Sequence, residues 1–257
     1  MMAGVRRLLT IPISHFCEKA RWALERAGLD YVEERHVQGI HQIVARRAGG
    51  GKTMPVLVTE EGVFGESEEI LRYADERIDE ERRLFPADER QRDEVVELCR
   101  WLDEGLGPDG RRLMYAHMLP QKRLMLRFNN QGVPRWEGTV MTALWPVVTR
   151  FANRELGMTP TTIRDDEPRV WKAFDTVAER LADGRPHLCG DRFSAADLTF
   201  ACLAAAVLVP PEYGVRLPQP EELPDDLARD IRTFREHPAG AYALELFRTE
   251  RRAPAVV

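Results

Sequence analysis

VRRLLTIPISHFCEKARWALERAG, residues 5–28, changes its periodicity part-way along. Val5 to Ile11 is rich in β-formers and reads as a buried strand. Phe16, Ala20, Ala23, Leu24 and Ala27 then recur at i, i+4, i+7, i+8 and i+11, which is one apolar face of an amphipathic helix. Gly28 closes that helix, because a residue without Cβ takes the left-handed conformation of a helix end at low cost. A strand leading straight into a helix is the first half of a β-α-β unit.

The residues that follow continue the pattern. Tyr31 to Val37 is a charge-rich strand that predicts a sheet edge, and a short helix around Ile40 to Ala48 is stopped by Gly49-Gly50-Gly51. Pro55 to Thr59 and Val63 to Gly65 are two short β runs joined by Glu60-Glu61-Gly62, which reads as a hairpin. A third helix follows, with Ser67 as its cap and Ile70, Leu71, Ala74 and Ile78 on its buried face. The order β-α-β-α-β-β-α, with a right-handed crossover in its parallel part, is that of a thioredoxin-like domain. Beyond the Leu84-Phe85-Pro86 linker only helical patterns occur. The predicted fold class is therefore α/β plus all-α, with a thioredoxin-like domain over 1–86 followed by a helical-bundle domain over 87–257.

Within that second part Val95, Cys99, Leu102 and Leu106 mark one long helix that Gly107-Pro108 ends. Arg111 to Phe128 reads as helix interrupted at Pro120, and Val140 to Leu156 as helix kinked at Pro146. Pro168 opens another, Ser194 caps an apolar one over Leu198 to Val209, and two short helices around Leu227 to Phe234 and Ala239 to Arg248 end the pattern. Ser194 and Asp197, at the spacing of a capping box, are assigned to folding rather than chemistry.

Composition removes several classes of function. The 257 residues are 44% hydrophobic and 31% charged, a globular balance far from that of disordered or collagen-like chains. A formal net charge of −5 is opposite to that of most nucleic-acid binders. Leu198 to Val209 is the longest nearly apolar run, far short of the ~20 residues that span a bilayer, and no secretory h-region follows the first residues. A cytoplasmic protein with no membrane and no nucleic-acid partner is expected. Cys17, Cys99, Cys189 and Cys202 form no CxxC pair and have no histidine at ligand spacing, so no metal is expected.

Four features remain: Ser14-His15-Phe16-Cys17 at the start of the first helix, Met54-Pro55 before a strand, Glu66-Ser67 at the start of the third helix, and an all-helical second domain. Together they resemble the glutathione transferase superfamily over nearly the whole chain, and Ser194-Ala195-Ala196-Asp197 is similar to the capping-box motif of the family's helical domain. The resemblance implies an enzyme of the serine type, in which Ser14 is catalytic. It implies a cis peptide at Met54-Pro55, with the backbone of Met54 pairing with the cysteinyl part of glutathione. It also implies a homodimer, a role in detoxification, and an apolar electrophile pocket in the helical domain, for which Met114, Met118, Met125, Trp136 and Trp145 are candidates.

Each role has a physical basis. A free thiol with pKa near 8.5 is only about 3% ionised at pH 7, and bringing it to about 6.5 requires about 2.7 kcal/mol. A hydrogen bond to a charged group supplies ~1.5 to 3 kcal/mol and a helix N-terminus ~0.3 to 1, so a hydroxyl at a helix start suffices without metal or base. The unpaired N–H groups ahead of the third helix are a seat for a carboxylate, to which Ser67 adds its hydroxyl, while Glu66 meets an ammonium. A γ-glutamyl group carries both charges. Lys52 either pairs with the glycyl carboxylate or is a solvated lysine in a glycine loop.

Two other readings stand beside this one. Cys17, one turn after Ser14, also feels the helix N-terminus and would be the reactive thiol of a glutathione-dependent reductase. Alternatively the chain keeps the fold as a non-catalytic binding or regulatory protein.

Overall fold

The computed structural model describes residues 5–251. Its first part follows the predicted order: β1 (Arg6–Thr10), α1 (His15–Arg26), β2 (Tyr31–Arg35), α2 (Ile40–Arg47), β3 (Val56–Thr59), β4 (Gly62–Phe64) and α3 (Ser67–Asp75). The sheet runs β2-β1-β3-β4, so the charged strand β2 is at an edge as its composition required. β1 pairs parallel with β2 and antiparallel with β3, where Leu9 faces Val56; β3 pairs antiparallel with β4, where Leu57 faces Phe64. It follows that β1, β2 and β4 run the same way. Their ends, and the beginning of β3, lie along one edge of the sheet.

Glycine closes the first two helices. The Gly28 N–H donates to Glu25 O and the Leu29 N–H to Leu24 O, with Gly28 at φ 65°. After α2 the Gly49 and Gly50 N–H groups donate to Arg46 O and Ala45 O in the same pattern, with Gly49 at φ 90°. Gly50 is required for a second reason. A Cβ there would stand 2.8 Å from Val56 Cγ2, inside contact distance.

The rest of the described chain is helical: α4 (Glu89–Glu104), α5 (Leu106–Met118), α6 (Lys122–Asn129), α7 (Arg135–Ala143), α8 (Trp145–Glu155), α9 (Pro160–Leu181), α10 (Ala195–Leu208), α11 (Asp225–Glu236) and α12 (Pro238–Thr249). Two prolines act differently from the sequence expectation. Gly107-Pro108 lies in the first turn of α5 instead of ending its predecessor, because a proline there gives up an N–H that no helical carbonyl needs. Pro168 lies inside α9, whose start is set by Thr159 and Thr162 in a reciprocal cap. Pro146 falls in the first turn of α8, which is where the predicted kink separates α7 from α8.

The chain divides into two compact units, Met1–Ile78 with Met118–Gly157 and Asp79–His117 with Met158–Val257. Helices α6 to α8 thus group with the sheet, whereas the sequence reading placed everything after residue 86 in one helical domain. The tie is electrostatic. Glu137 on α7 is buried, with Oε1 2.8 Å from His36 Nδ1 and Oε2 accepting the Val37 N–H at 3.0 Å, and Gln38 Nε2 donates to Asn129 Oδ1 at 2.6 Å. Partners a hundred residues apart leave no local signal in the sequence.

In the second unit α10 is buried on nearly every side. Asp197 in its first turn is fully buried and accepts from the Ser194 N–H (2.8 Å), the Ser194 hydroxyl (2.6 Å), the Leu188 N–H (2.8 Å) and the Tyr242 hydroxyl. Its role is structural, as the spacing predicted. Cys99 and Cys202 are buried and Cys189 half-buried; the four thiols are unbridged.

Candidate active site

The sheet topology brings three of the singled-out stretches to one edge. Ser14 ends the short loop after β1, Met54-Pro55 immediately precedes β3, and Glu66-Ser67 follows β4 by one glycine. The strand directions place all three on the same side of the sheet, and α1 packs against α3.

Ser14 is the N-cap of α1, half-buried, with its hydroxyl oxygen 3.4 Å from the Cys17 N–H that it accepts. The same hydroxyl also hydrogen-bonds the Cys17 thiol, a contact that works against the rise that burial gives the thiol pKa. The loop that presents Ser14 is clasped from below. Arg21 is buried, and its Nη2 donates to Pro12 O at 3.1 Å and Ile11 O at 3.5 Å. The same guanidinium is neutralised by Glu33 at 2.7 Å and Glu18 at 3.2 Å, and Thr10 and Arg35 complete the shell around Glu33. Burial alone would raise the Glu33 carboxyl, but Arg21 with the hydrogen bonds from Arg35 and Thr10 outweighs it and holds it below the usual carboxylate range.

Cys17 is one turn further and is packed into a core with Leu9, Ala45, Met54 and Val56. Its sulfur accepts the Ile11 N–H at 3.4 Å, and burial pushes its pKa up, so the thiol stays protonated. A reactive thiol needs exposure and a lowered pKa, and this geometry supplies neither.

The peptide between Met54 and Pro55 is cis, as the resemblance implied. The β1–β3 ladder stops at Val56, so the main chain of Met54 takes no part in it. Glu66, with extended backbone, is the N-cap of α3, and Ser67 is its first helical residue; the sequence reading had the cap one position later. The Glu69 carboxylate accepts the N–H groups of Gly65 (2.8 Å) and Glu66 (3.2 Å), which fixes the turn. Ser67 is buried and Glu66 exposed.

Thr53 was not singled out by the sequence reading, yet its hydroxyl donates to Glu66 Oε1 at 3.4 Å and joins the two loops. No motif marks it, since the pairing exists only once β3 and β4 are side by side. Lys52 is exposed in the glycine loop. That loop lies against the turn before α3: a Cβ on Gly65 would sit 3.7 Å from Gly51 N. The edge therefore carries the Ser14 hydroxyl at one helix start, the N-terminus of α3 with the Ser67 hydroxyl and the Glu66 carboxylate at another, the main chain of Met54 beside the ladder, and a nearby lysine.

Comparison with known proteins identifies the family of this fold. The family model "Glutathione S-transferase, N-terminal domain" matches residues 8–82, and "Glutathione S-transferase, C-terminal domain" matches residues 161–237. The fold and these two matches define the class: this chain belongs to the glutathione S-transferase superfamily. Among solved structures it is similar to a glutathione S-transferase from Sinorhizobium meliloti 1021, at 19% identity over 99% of this chain and 96% of that one with a TM-score of 0.57. It is also similar to the beta-etherase LigF of Sphingobium sp. strain SYK-6, at 17% identity over 94% and 99% with a TM-score of 0.57. A third is the glutathione S-transferase of Methylobacillus flagellatus KT with GSH bound, at 15% identity over 93% and 98% with a TM-score of 0.52. At these identities the likeness is one of fold. A sequence comparison with curated proteins found no match.

Proposed function

We propose that this protein is a glutathione transferase that binds glutathione along the shared sheet edge and activates its thiol for attack on an apolar electrophile. The observation that carries this reading is the convergence of Ser14, Met54-Pro55 and Glu66-Ser67 on one edge of the sheet. In the proposed complex the γ-glutamyl carboxylate takes the N–H groups at the start of α3 and the Ser67 hydroxyl, and its ammonium meets Glu66. The main chain of Met54 pairs with the cysteinyl residue as an added strand would. Lys52 takes the glycyl carboxylate.

Ser14 donates its hydroxyl proton in a hydrogen bond to the sulfur and, with the α1 N-terminus, favours thiolate over thiol. The sulfur then forms a bond to the electrophilic carbon as the leaving group departs with its electron pair. Catalysis comes from thiolate activation and proximity. A homodimer, a cytoplasmic location and a role in detoxification extend the reading by kinship.

Calorimetric titration with glutathione, followed by turnover of an aryl halide, tests the proposal. Millimolar or tighter binding with turnover that depends on Ser14 is expected. Binding without turnover of any electrophile would instead favour a transferase-like binding protein, and turnover that depends on Cys17 would favour a reductase.

A further inference from the structure

Among the described residues ten large apolar side chains are exposed, and five of them fall on α7, α8 and the single residue between them: Trp136 (60%), Val140 (38%), Leu144 (49%), Val147 (59%) and Phe151 (38%). Trp136 and Val140 on α7, and Val147 and Phe151 on α8, are each four residues apart, so each pair shares one face of its own helix. Leu144, between the two helices, keeps the path continuous, since its N–H donates to Val140 O and its own carbonyl accepts from Val147 and Val148. The flank about 100° round from it, with Glu137, Met141, Trp145 and Ala152, is buried. Trp136, a candidate for the electrophile pocket on sequence grounds, thus stands on an outward stripe.

The charge around this stripe is one-sided. Between residues 122 and 155 the exposed ionic side chains are Lys122, Arg123, Arg127, Arg135, Arg150 and Arg154 against Glu155 alone, in a chain whose net charge is −5. Arg150 and Arg154 follow Val147 by three and seven residues and border the apolar face. Lys122 is held beside α7, its Nζ donating to Thr142 O at 3.1 Å. The segment lies between the two spans matched by the family models, 8–82 and 161–237.

We infer that the α7–α8 stripe is a docking surface that seats the protein on an anionic lipid bilayer, with the apolar side chains entering the headgroup boundary and the arginines meeting lipid phosphates. No helix of the described chain is long and apolar enough to cross a membrane, so the segment lies on the surface rather than through it. An amphipathic helix with aromatic and aliphatic residues on one face and arginines beside it has the composition of an interfacial element. Two-fold pairing of this face with a second copy would bring the same arginines together. A nucleic acid offers phosphates but nothing that covers five apolar side chains. An anionic bilayer supplies both the negative charge and the apolar phase.

The test is co-sedimentation of the full chain with vesicles of phosphatidylcholine alone or mixed equally with phosphatidylglycerol, at low and high salt, alongside Val147→Asp and the pair Arg150→Glu with Arg154→Glu. Expected is partitioning onto the anionic vesicles, weak on the neutral ones and reduced by salt. Each basic side chain at such a surface multiplies partitioning by roughly fivefold, so the paired reversal lowers it by well over tenfold, and Val147→Asp does likewise. Far-UV circular dichroism and glutathione titration verify that both variants remain folded, because the substituted residues are exposed and lie outside the glutathione edge. Failure of the intact chain to bind anionic vesicles, or equal binding by the folded variants, overturns the inference. So does a dimer seen by light scattering that Val147→Asp dissolves, or oligonucleotide binding that the paired reversal abolishes while vesicle binding is nil.

Discussion

Arg21 and Glu33 meet at 2.7 Å in the interior of the first unit, and the Arg21 guanidinium reaches past that pair to the Pro12 carbonyl at 3.1 Å. One buried cation thus fixes both the second strand and the loop that ends in Ser14. Arg21 is a positioning residue for the proposed chemistry, acting through the main chain.

Arg21→Ala takes the guanidinium away from buried Glu18 and removes one of the two cations on Glu33, which keeps Arg35 at 2.6 Å, so the loss should approach but not exceed the about 3 to 5 kcal/mol of a fully broken buried pair. Urea unfolding read by circular dichroism measures it. A change below about 1 kcal/mol would mean that water reaches the pair.

Ser14→Ala removes one hydrogen bond to a charged sulfur, ~1.5 to 3 kcal/mol, and should lower kcat/KM by roughly 10- to 150-fold. The pH at which half the bound thiol is ionised should rise toward that of free glutathione, which thiolate absorbance follows directly. Cys17→Ala, in contrast, should retain turnover and lose stability through a small core void. If Cys17→Ala abolishes turnover in a folded protein, the catalytic role moves to the thiol.

His41 accepts the Gly39 N–H on Nδ1 at 3.0 Å, and burial lowers its pKa to about 4. The unfolded chain, with a histidine near 6.5, binds this proton more readily than the folded one. Stability from the neutral ring is therefore complete above about pH 6.5 and is lost as pH falls toward 4, by up to ~3 kcal/mol. Glu33, whose carboxyl is held low, contributes stability that is present above about pH 4.5 and disappears only as pH falls through its lowered folded value. His41→Asn should flatten the pH 4 to 6.5 part of the stability profile and leave the more acidic part unchanged; Glu33→Gln should do the reverse.

Gly50→Ala places a methyl 2.8 Å from Val56 Cγ2 and 3.3 Å from Ala45 O, in the loop that leads to Lys52 and Met54. Overpacking of this kind costs about 1 to 3 kcal/mol. A weaker glutathione affinity should accompany the loss, because the displaced strand start belongs to the proposed site. Gly51→Ala, where the nearest atom is Thr53 Oγ1 at 4.0 Å, is the control that should be tolerated.

The local sequence alone determined the order of strands and helices in the first 78 residues, the glycine ends of α1 and α2, and the Ser194–Asp197 cap. Each rests on periodicity or on a backbone preference that acts over a few residues. The candidate glutathione edge was legible as three separate stretches, because a helix start announces itself in its own residues. Long-range packing decided everything that pairs distant positions. It set Thr53 against Glu66, turned Cys17 into the core, joined Glu137 to His36, and placed Pro108 and Pro168 within helices. It also left Trp136 and its neighbours facing water. Periodicity identifies an apolar face, but which of a helix's faces is covered depends on the surfaces that the rest of the chain brings to it, and those are fixed only when the chain is folded.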